Sequence, residues 1–396
     1  MAFIRLDFKA YTQNLTQIAK KAGGFEKLIC VFKNNAYAHG INLLSPIAKA
    51  LGVSFIALKN EREALELEIF FEFLNKASKN IKKDFLNPAF LNKINESHPA
   101  FSSPNSASKT SKISKNASFE NILILSHIPN GKENPKFIYA ANDIKSFEAF
   151  KKGTKLHLVI DTGMHRNGVL LKDIEKAFQK ARALKLEITG IFTHFAGSDE
   201  MDASFFVQRQ KFDEAKKIAQ KAALNLGFKK LIFHASNSAA LFRSSKIPTD
   251  ELCRVGLAQF GYNDFAKLKK VLSLYAEKLS SCILESHECV GYGGKFSASK
   301  PLKIATYDLG YADGLFRFDG ASFDQSSLLK PKDTQKLTLA NDKSLLGCMS
   351  MDSFSCEDVG AQVCVFKDAD IFARYFNTIN YEILAKLSPY IKRILV

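Results

Sequence analysis

The sequence predicts an α/β protein: a (β/α)8, TIM-like barrel followed by a smaller, mainly-β C-terminal domain. Three observations lead there. Eight short apolar runs recur between residues 28 and 257, most of them separated by helix-like segments, and such alternation marks parallel strands joined by crossover helices. The runs are apolar at consecutive rather than alternate positions, as in strands covered on both faces. Beyond about residue 272 the strand-like runs are divided by Gly and Asp turns, with no long helix until the C-terminus, which describes a separate β domain.

Taken in order, residues 2–7 alternate as a strand does and 10–21 form an amphipathic helix. The first barrel run opens Leu28-Ile-Cys-Val-Phe-Lys-Asn-Asn-Ala-Tyr-Ala-His-Gly40 and leads into helix 41–51. Run 53–58 precedes helix 61–71, rich in Glu, Leu and Ala. Runs 122–125, 137–141, 156–160, 188–193, 231–234 and 253–257 complete the eight, with helices over 172–184 and 205–226. The second domain has runs at 281–285, 302–307 and 362–366 and a final helix over 378–387 that Asn377 is placed to cap. The domains therefore divide as 1–272 and 273–396. Distinct in composition stands 75–118, where Lys, Ser and Asn supply 24 of 44 residues; it reads as a flexible surface insertion that Phe85, Phe90 and Phe101 tie to the body.

Composition narrows the function classes. With 46% hydrophobic and 24% charged residues the chain is an ordinary globular protein. It shows no signal-peptide core and no apolar stretch of membrane-spanning length, so a cytoplasmic protein with no membrane partner is expected. Seven cysteines (Cys30, Cys253, Cys282, Cys289, Cys348, Cys356, Cys364) without a Cys-x-x-Cys pair speak against a disulfide framework and a zinc site. The formal charge is +16, but its basic residues are scattered and no nucleic-acid motif accompanies them; steering of an anionic substrate fits better.

Lys33 ends the first barrel run. A lysine there either lays its stem over apolar surface or is a desolvated amine able to form a Schiff base. Its company at later strand ends favours the second role. Asp161-Thr-Gly-Met-His-Arg166 follows strand five, His194 ends strand six, Asn237-Ser238 follows strand seven, and strand eight carries Arg254 before Gly256. Singly, His194 reads as a core histidine, Ser238 as a helix cap and Arg254 as an ion-pair partner. Gathered at one barrel face, these groups suit an anionic, electron-accepting, phosphate-bearing cofactor.

Through these motifs the chain resembles the alanine racemase family over nearly its whole length outside 75–118. The resemblance implies pyridoxal 5′-phosphate held on Lys33 as a Schiff base, with Tyr37, Ser238, Gly256 and Tyr381 at the phosphate. It implies His194 against the pyridine ring, Arg254 at the ring nitrogen, and Arg166 at the phenolate and the substrate carboxylate. Gly291-Tyr-Gly-Gly294 resembles the turn of the second catalytic base, Tyr292; Gly310-Tyr311-Ala-Asp-Gly314 and Ser350-Met351-Asp352 resemble the remaining active-site segments, with Met351 near the substrate carboxylate. The implied activity is racemisation of alanine through an external aldimine with Lys33 and Tyr292 as opposed bases, in a homodimer with shared active sites, supplying D-alanine for peptidoglycan. No metal is implied.

Three positions depart from the family pattern: Val159 where many relatives have a carbamylated lysine, Ala38 at a usual glycine, and Gln259-Phe-Gly261 for Met-Tyr-Gly. Fold-related decarboxylases, which pair the ring nitrogen with a carboxylate, fit Arg254 poorly. A single-barrel cofactor carrier does not account for the second domain. A broader amino-acid racemase stays open, because pocket size decides between alanine and larger substrates.

Overall fold

The structure is a computed structural model that describes residues 1–78, 80–97, 118–200, 203–318 and 337–396. Two compact units divide these residues: Lys9–Ala36 with Ile41–Lys269, and Met1–Phe8 with Tyr37–Gly40 and Lys270–Val396.

The first unit is a closed parallel barrel. Counting the N-terminal strand Phe3–Leu6 as β1, its staves are β2 (Leu28–Val31), β3 (Phe55–Leu58), β4 (Asn121–Ile124), β5 (Ile138–Ala141), β6 (Lys155–Val159), β7 (Glu187–Phe192), β8 (Ile232–His234) and β9 (Glu251–Val255). All eight predicted runs become staves. β9 pairs with β2, Leu28 opposite Cys253 and Cys30 opposite Val255, and so closes the ring. Every residue of β2, β3 and β5 is buried, which explains their unbroken apolar character. One register shift falls between Leu156 and His157, so that His157 faces Gly190.

The surrounding helices follow the predicted pattern. Helix Phe8–Ala22 buries Tyr11, Leu15 and Ile18, and Glu61–Ala77 runs further than predicted from a cap at Asn60, whose side chain accepts from Glu63 N–H at 3.0 Å. Ile174–Ala183 and Ser204–Leu226 match the expected helices. Glu251 anchors the latter, fully buried at the start of β9 between Arg209 and Lys216.

The 75–118 insertion differs from a continuous loop in its first half. After Ala77 come short helices Ile81–Asp84 and Pro88–Ser97, which bury Phe85, Leu91 and Ile94. Phe85 meets Phe71 edge-on at 6.0 Å. A few apolar residues at helical spacing suffice for this, despite the polar composition. Residues 79 and 98–117, Phe101 among them, lie outside the described residues.

In the second unit β10 (Leu272–Leu284) is the long central strand. With β11 (Cys289–Val290), β12 (Phe296–Ser297), β13 (Leu302–Tyr307), β14 (Leu345–Leu346), β15 (Phe354–Glu357), β16 (Gln362–Phe366) and β17 (Lys392–Leu395) it builds a sheet of order β14-β15-β13-β10-β1-β17, with β16 also on β10 and β11–β12 a separate hairpin. The division at residue 272 therefore needs correction at the N-terminus. β1 belongs to this sheet, antiparallel to β10 and parallel to β17, because Ile4 and Leu6 bury there and Phe3 stacks on Tyr275 at 5.2 Å.

Two helical details also differ. Helix Ala369–Tyr375, capped by Asp368, follows β16 where none was predicted. The last helix is shorter, Asn380–Ala385, and Asn377 does not cap it but turns the chain at φ 49°. Among the described residues no helix is long and apolar enough to cross a membrane.

Candidate active site

The chain leaves β2 at Phe32, whose N–H donates to Ala57 O at 2.9 Å, and after Lys33 it reverses hand. Asn34, Asn35, Ala36, Tyr37 and Ala38 all have φ between 52° and 63°, a left-handed helical turn without a glycine. Such residues cost roughly 1–2 kcal/mol each, so the surroundings must hold the turn. Asn35 Oδ1 accepts from Ile41 N–H at 2.8 Å. Glu63 Oε1 accepts from Asn34 N–H at 2.7 Å and its Oε2 from Lys59 N–H at 2.8 Å. The positive φ of Ala38 accounts for a glycine-like position there. The Lys33 ammonium is pushed below the ordinary lysine range, by burial first and by Arg166 next; Glu63 opposes the shift and Lys59 adds to it.

Arg254 is buried in the barrel and spends its guanidinium on the strand ends. Nη1 donates to His234 O and meets His234 Nδ1 at 2.9 Å, while Nη2 donates to Thr193 O at 2.6 Å and Ala235 O at 3.1 Å. A guanidinium only donates, so His234 Nδ1 accepts and the His234 hydrogen sits on Nε2. From there it reaches His157 Nδ1 at 2.8 Å. Phe192 stacks on His234 at 4.6 Å, and Gly190 leaves room for His157: a Cβ there would lie 2.7 Å from its Nε2. Burial, then Arg254, pulls His157 down to about 3 and His234 well below its ordinary value. His194 also falls to about 3, through burial, then Arg254, Arg166 and Lys33. All three imidazoles are neutral near pH 7.

Ser238 and Gly256 meet directly, Gly256 N–H donating to Ser238 Oγ at 3.1 Å, which leaves the serine hydroxyl hydrogen for another acceptor. Arg166 rides on a closed turn. Asp161 Oδ1 accepts from the N–H groups of Gly163, Met164 and His165 at 2.9–3.1 Å, and Asp161 N–H donates to Val169 O at 3.0 Å. Val159 is buried and offers no polar group. Arg166 itself is exposed, and among the described residues no side chain hydrogen-bonds to it or pairs with it.

The barrel unit thus brings together Lys33, Arg166, His194, Ser238, Arg254 and Gly256. In the second unit Tyr37 and Tyr381 meet edge to face at 5.8 Å. Arg393, buried and lowered to about 10 by that burial, donates from Nε to Ala38 O at 3.0 Å and from its Nη groups to the carbonyls of Ser388, Pro389 and Ile391. Tyr292 stands 69% exposed on the glycine turn between β11 and β12. Tyr311, Met351 and Asp352 cluster: Tyr311 N–H donates to Ser350 O and Ala312 N–H to Met351 O. Gly310 packs so closely that a Cβ would collide with Met351 O.

The sequence pattern does not single out Glu63 or Arg393. Glu63 has a signal in Asn60-x-x-Glu63, a helix-start pattern, though not in where its carboxylate goes. Arg393 has none, since in sequence it is one more arginine near a chain end.

The donor set fits pyridoxal phosphate. The four bonds of Arg254 all leave from Nη1 and Nη2, so Nε–H is the donor left for a neutral ring nitrogen. His194 offers an uncharged flat ring, Ser238 a hydroxyl and Lys33 a depressed amine.

The family model described as alanine racemase, N-terminal domain, matches residues 6–264, and that for the C-terminal domain matches 271–395. The chain is 51% identical over 396 residues to the alanine racemase of Campylobacter jejuni subsp. jejuni (strain 81-176), covering 100% of each. Among solved structures, alanine racemase from Clostridium difficile 630 matches with a TM-score of 0.74 at 18% identity, over 100% of this chain and 95% of that one. Alanine racemase from Bartonella henselae with covalently bound pyridoxal phosphate gives 0.69 at 21% identity, over 100% and 99%. At such identities the structural likeness is one of fold.

Proposed function

The chain belongs to the alanine racemase family and is an isomerase, and on that premise we propose that it interconverts L-alanine and D-alanine with pyridoxal 5′-phosphate on Lys33, using Lys33 and Tyr292 as the two proton-transfer residues. The observation that carries the reading is Lys33 at the mouth of a wholly buried barrel strand, with an ammonium that burial and Arg166 make easier to deprotonate. The Bartonella henselae relative, with its covalently bound pyridoxal phosphate, supports the choice of cofactor.

When bound, pyridoxal phosphate supplies an electron-accepting ring that acidifies the substrate's α C–H. The protein's residues do the rest. Lys33 Nζ takes or returns the α-proton on one face and Tyr292 Oη on the other. Arg254 Nε–H hydrogen-bonds the ring nitrogen without surrendering its proton, and neutral His194 lies against the ring. Ser238, the Gly256 backbone, Tyr37 and Tyr381 hold the phosphate. Arg166 and Met351 meet the substrate carboxylate, and Tyr311 and Asp352 support that side.

The enzyme is read as a cytoplasmic homodimer in which Tyr292 reaches the partner's site, and its D-alanine as a precursor for peptidoglycan. The exposed apolar side chains of the second unit, Leu279, Ile283, Tyr292 and Met351 among them, are compatible with that reading.

Circular dichroism of L-alanine solutions with added pyridoxal phosphate tests the activity: ellipticity decays to zero as the racemate forms, and serine and lysine run in parallel measure specificity. An unchanged signal with fully loaded protein sinks the reading. Mixing Lys33→Ala with Tyr292→Phe chains restores activity if sites are shared; verified heterodimers without activity would exclude sharing.

A further inference from the structure

We infer that Glu63 is the positioning residue for Lys33: its carboxylate fills the anion-binding hollow made by the backbone N–H groups of the left-handed turn and fixes where the lysine leaves β2. The inference rests on Lys33 being the cofactor lysine.

Three observations carry it. Successive N–H groups in such a conformation converge on one side and favour an anion there, and the anion present is Glu63, taking Asn34 N–H at 2.7 Å and drawing also on Asn35 N–H. A glutamate three residues after a cap ordinarily turns back to the cap's own N–H. Glu63 instead sends Oε2 to Lys59 N–H at 2.8 Å, so one carboxylate bolts the exits of β2 and β3 together. Its own helix start does not need it, because Asn60 accepts from Glu63 N–H.

The arrangement gives Glu63 two effects on Lys33. Mechanically, it holds a turn whose backbone would otherwise relax to the right-handed region and swing the lysine off the strand axis. Electrostatically, it is a negative group that opposes Arg166 and Lys59 around the ammonium, while neighbouring His194 is neutral. Glu63 touches neither substrate nor cofactor and acts through Lys33.

The test uses the full-length holoenzyme and the variants Glu63→Gln and Glu63→Asp. Glutamine keeps one acceptor but turns an N–H group toward a backbone N–H. Amide exchange at Asn34 and Asn35 in Glu63→Gln should quicken by about tenfold or more, while Ala36, whose N–H bonds Phe32 O, changes least. The pH midpoint of the lysine-bound cofactor's absorbance should move down, and kcat should fall by about tenfold or more with KM nearly unchanged. Glu63→Asp should recover part of the midpoint shift. Exchange and midpoint both within about twofold of the parent overturn the inference. If neither variant folds, the parent decides: Asn34 must exchange at least about tenfold more slowly than in an unstructured peptide, and equal rates overturn it. Borohydride reduction followed by peptide mapping separates the two readings, since cofactor fixed to another lysine removes the role of Lys33 while the exchange result still reports on the carboxylate.

Discussion

Arg254 Nη1 meets His234 Nδ1 at 2.9 Å, and because arginine cannot accept, that contact sets the hydrogens of two histidines in the barrel core. His234 must pass its hydrogen to His157, and both rings stay neutral. Four bonds from two nitrogens also hold the guanidinium plane fixed, which leaves Nε–H pointing where the plane dictates. Arg254→Lys replaces a planar fork by a point donor with three N–H groups and strands at least one of those four acceptors. The expected loss is about 2–4 kcal/mol of unfolding free energy, read by urea denaturation, together with a sharp drop in racemisation. A variant within about 0.5 kcal/mol of the parent would show that the fork is not needed.

The buried histidines make stability depend on pH in a definite window. His157 and His194 fall to about 3 in the fold and His234 well below its ordinary value, whereas an unfolded histidine titrates near 6.5. Below about 6.5 the unfolded chain binds protons that the fold refuses, so stability is full above that pH and declines as pH falls toward the folded values. One such histidine removes about 1.4 kcal/mol per pH unit. Urea midpoints should therefore slide between pH 6.5 and 5.5, before most carboxylates titrate, and a level profile there would contradict the assignment.

Asn35→Ala removes two supports at once. The left-handed φ of 52° suits asparagine better than alanine, and Oδ1 is the acceptor for Ile41 N–H at the start of helix Ile41–Leu51. A stability loss of about 1–2 kcal/mol is expected, with weaker cofactor retention measured by equilibrium dialysis. Asn35→Gly restores the backbone but not the acceptor and should fall between the two.

Asp161→Ala tests how Arg166 is held without a lysine at 159. Three N–H groups lose their common acceptor, and the turn that carries Arg166 loosens. If Arg166 binds the substrate carboxylate, KM for alanine should rise several-fold, about 1 kcal/mol of binding, and more than kcat falls. A change confined to kcat would assign Arg166 another role.

Much of the fold and of the barrel's polar rim is legible in the sequence. The eight staves stand out because each is covered on both faces and so reads as an unbroken apolar run. Lys33, His194 and Arg254 are conspicuous as polar groups where such runs end. What stays hidden depends on partners or on the sign of a dihedral. Nothing in Asn-Asn-Ala-Tyr-Ala declares a left-handed turn except its asparagines. Glu63 has the local setting of an ordinary first-turn glutamate, and its backbone donors come from residues 34, 35 and 59. Arg393 is a buried cation whose N–H groups, among the described residues, donate to backbone carbonyls, a set that only the folded chain assembles. The helices within 75–118 rest on a few buried side chains that a Lys- and Asn-rich composition conceals.

The place of β1 has a consequence for how the chain is made. Its two neighbours are β10 and β17, so Phe3–Leu6 is synthesised before both of them and pairs only after residues 272 and 392 have followed. At about 5–20 residues per second that is a wait on the order of tens of seconds, during which a short apolar strand has both edges open. Arg5 interrupts it with a charge, the kind of residue that discourages pairing with other nascent chains. Once the sheet forms, the same guanidinium settles over the Tyr275 ring at 4.4 Å, so a side chain that guards the strand during synthesis becomes one that fastens it.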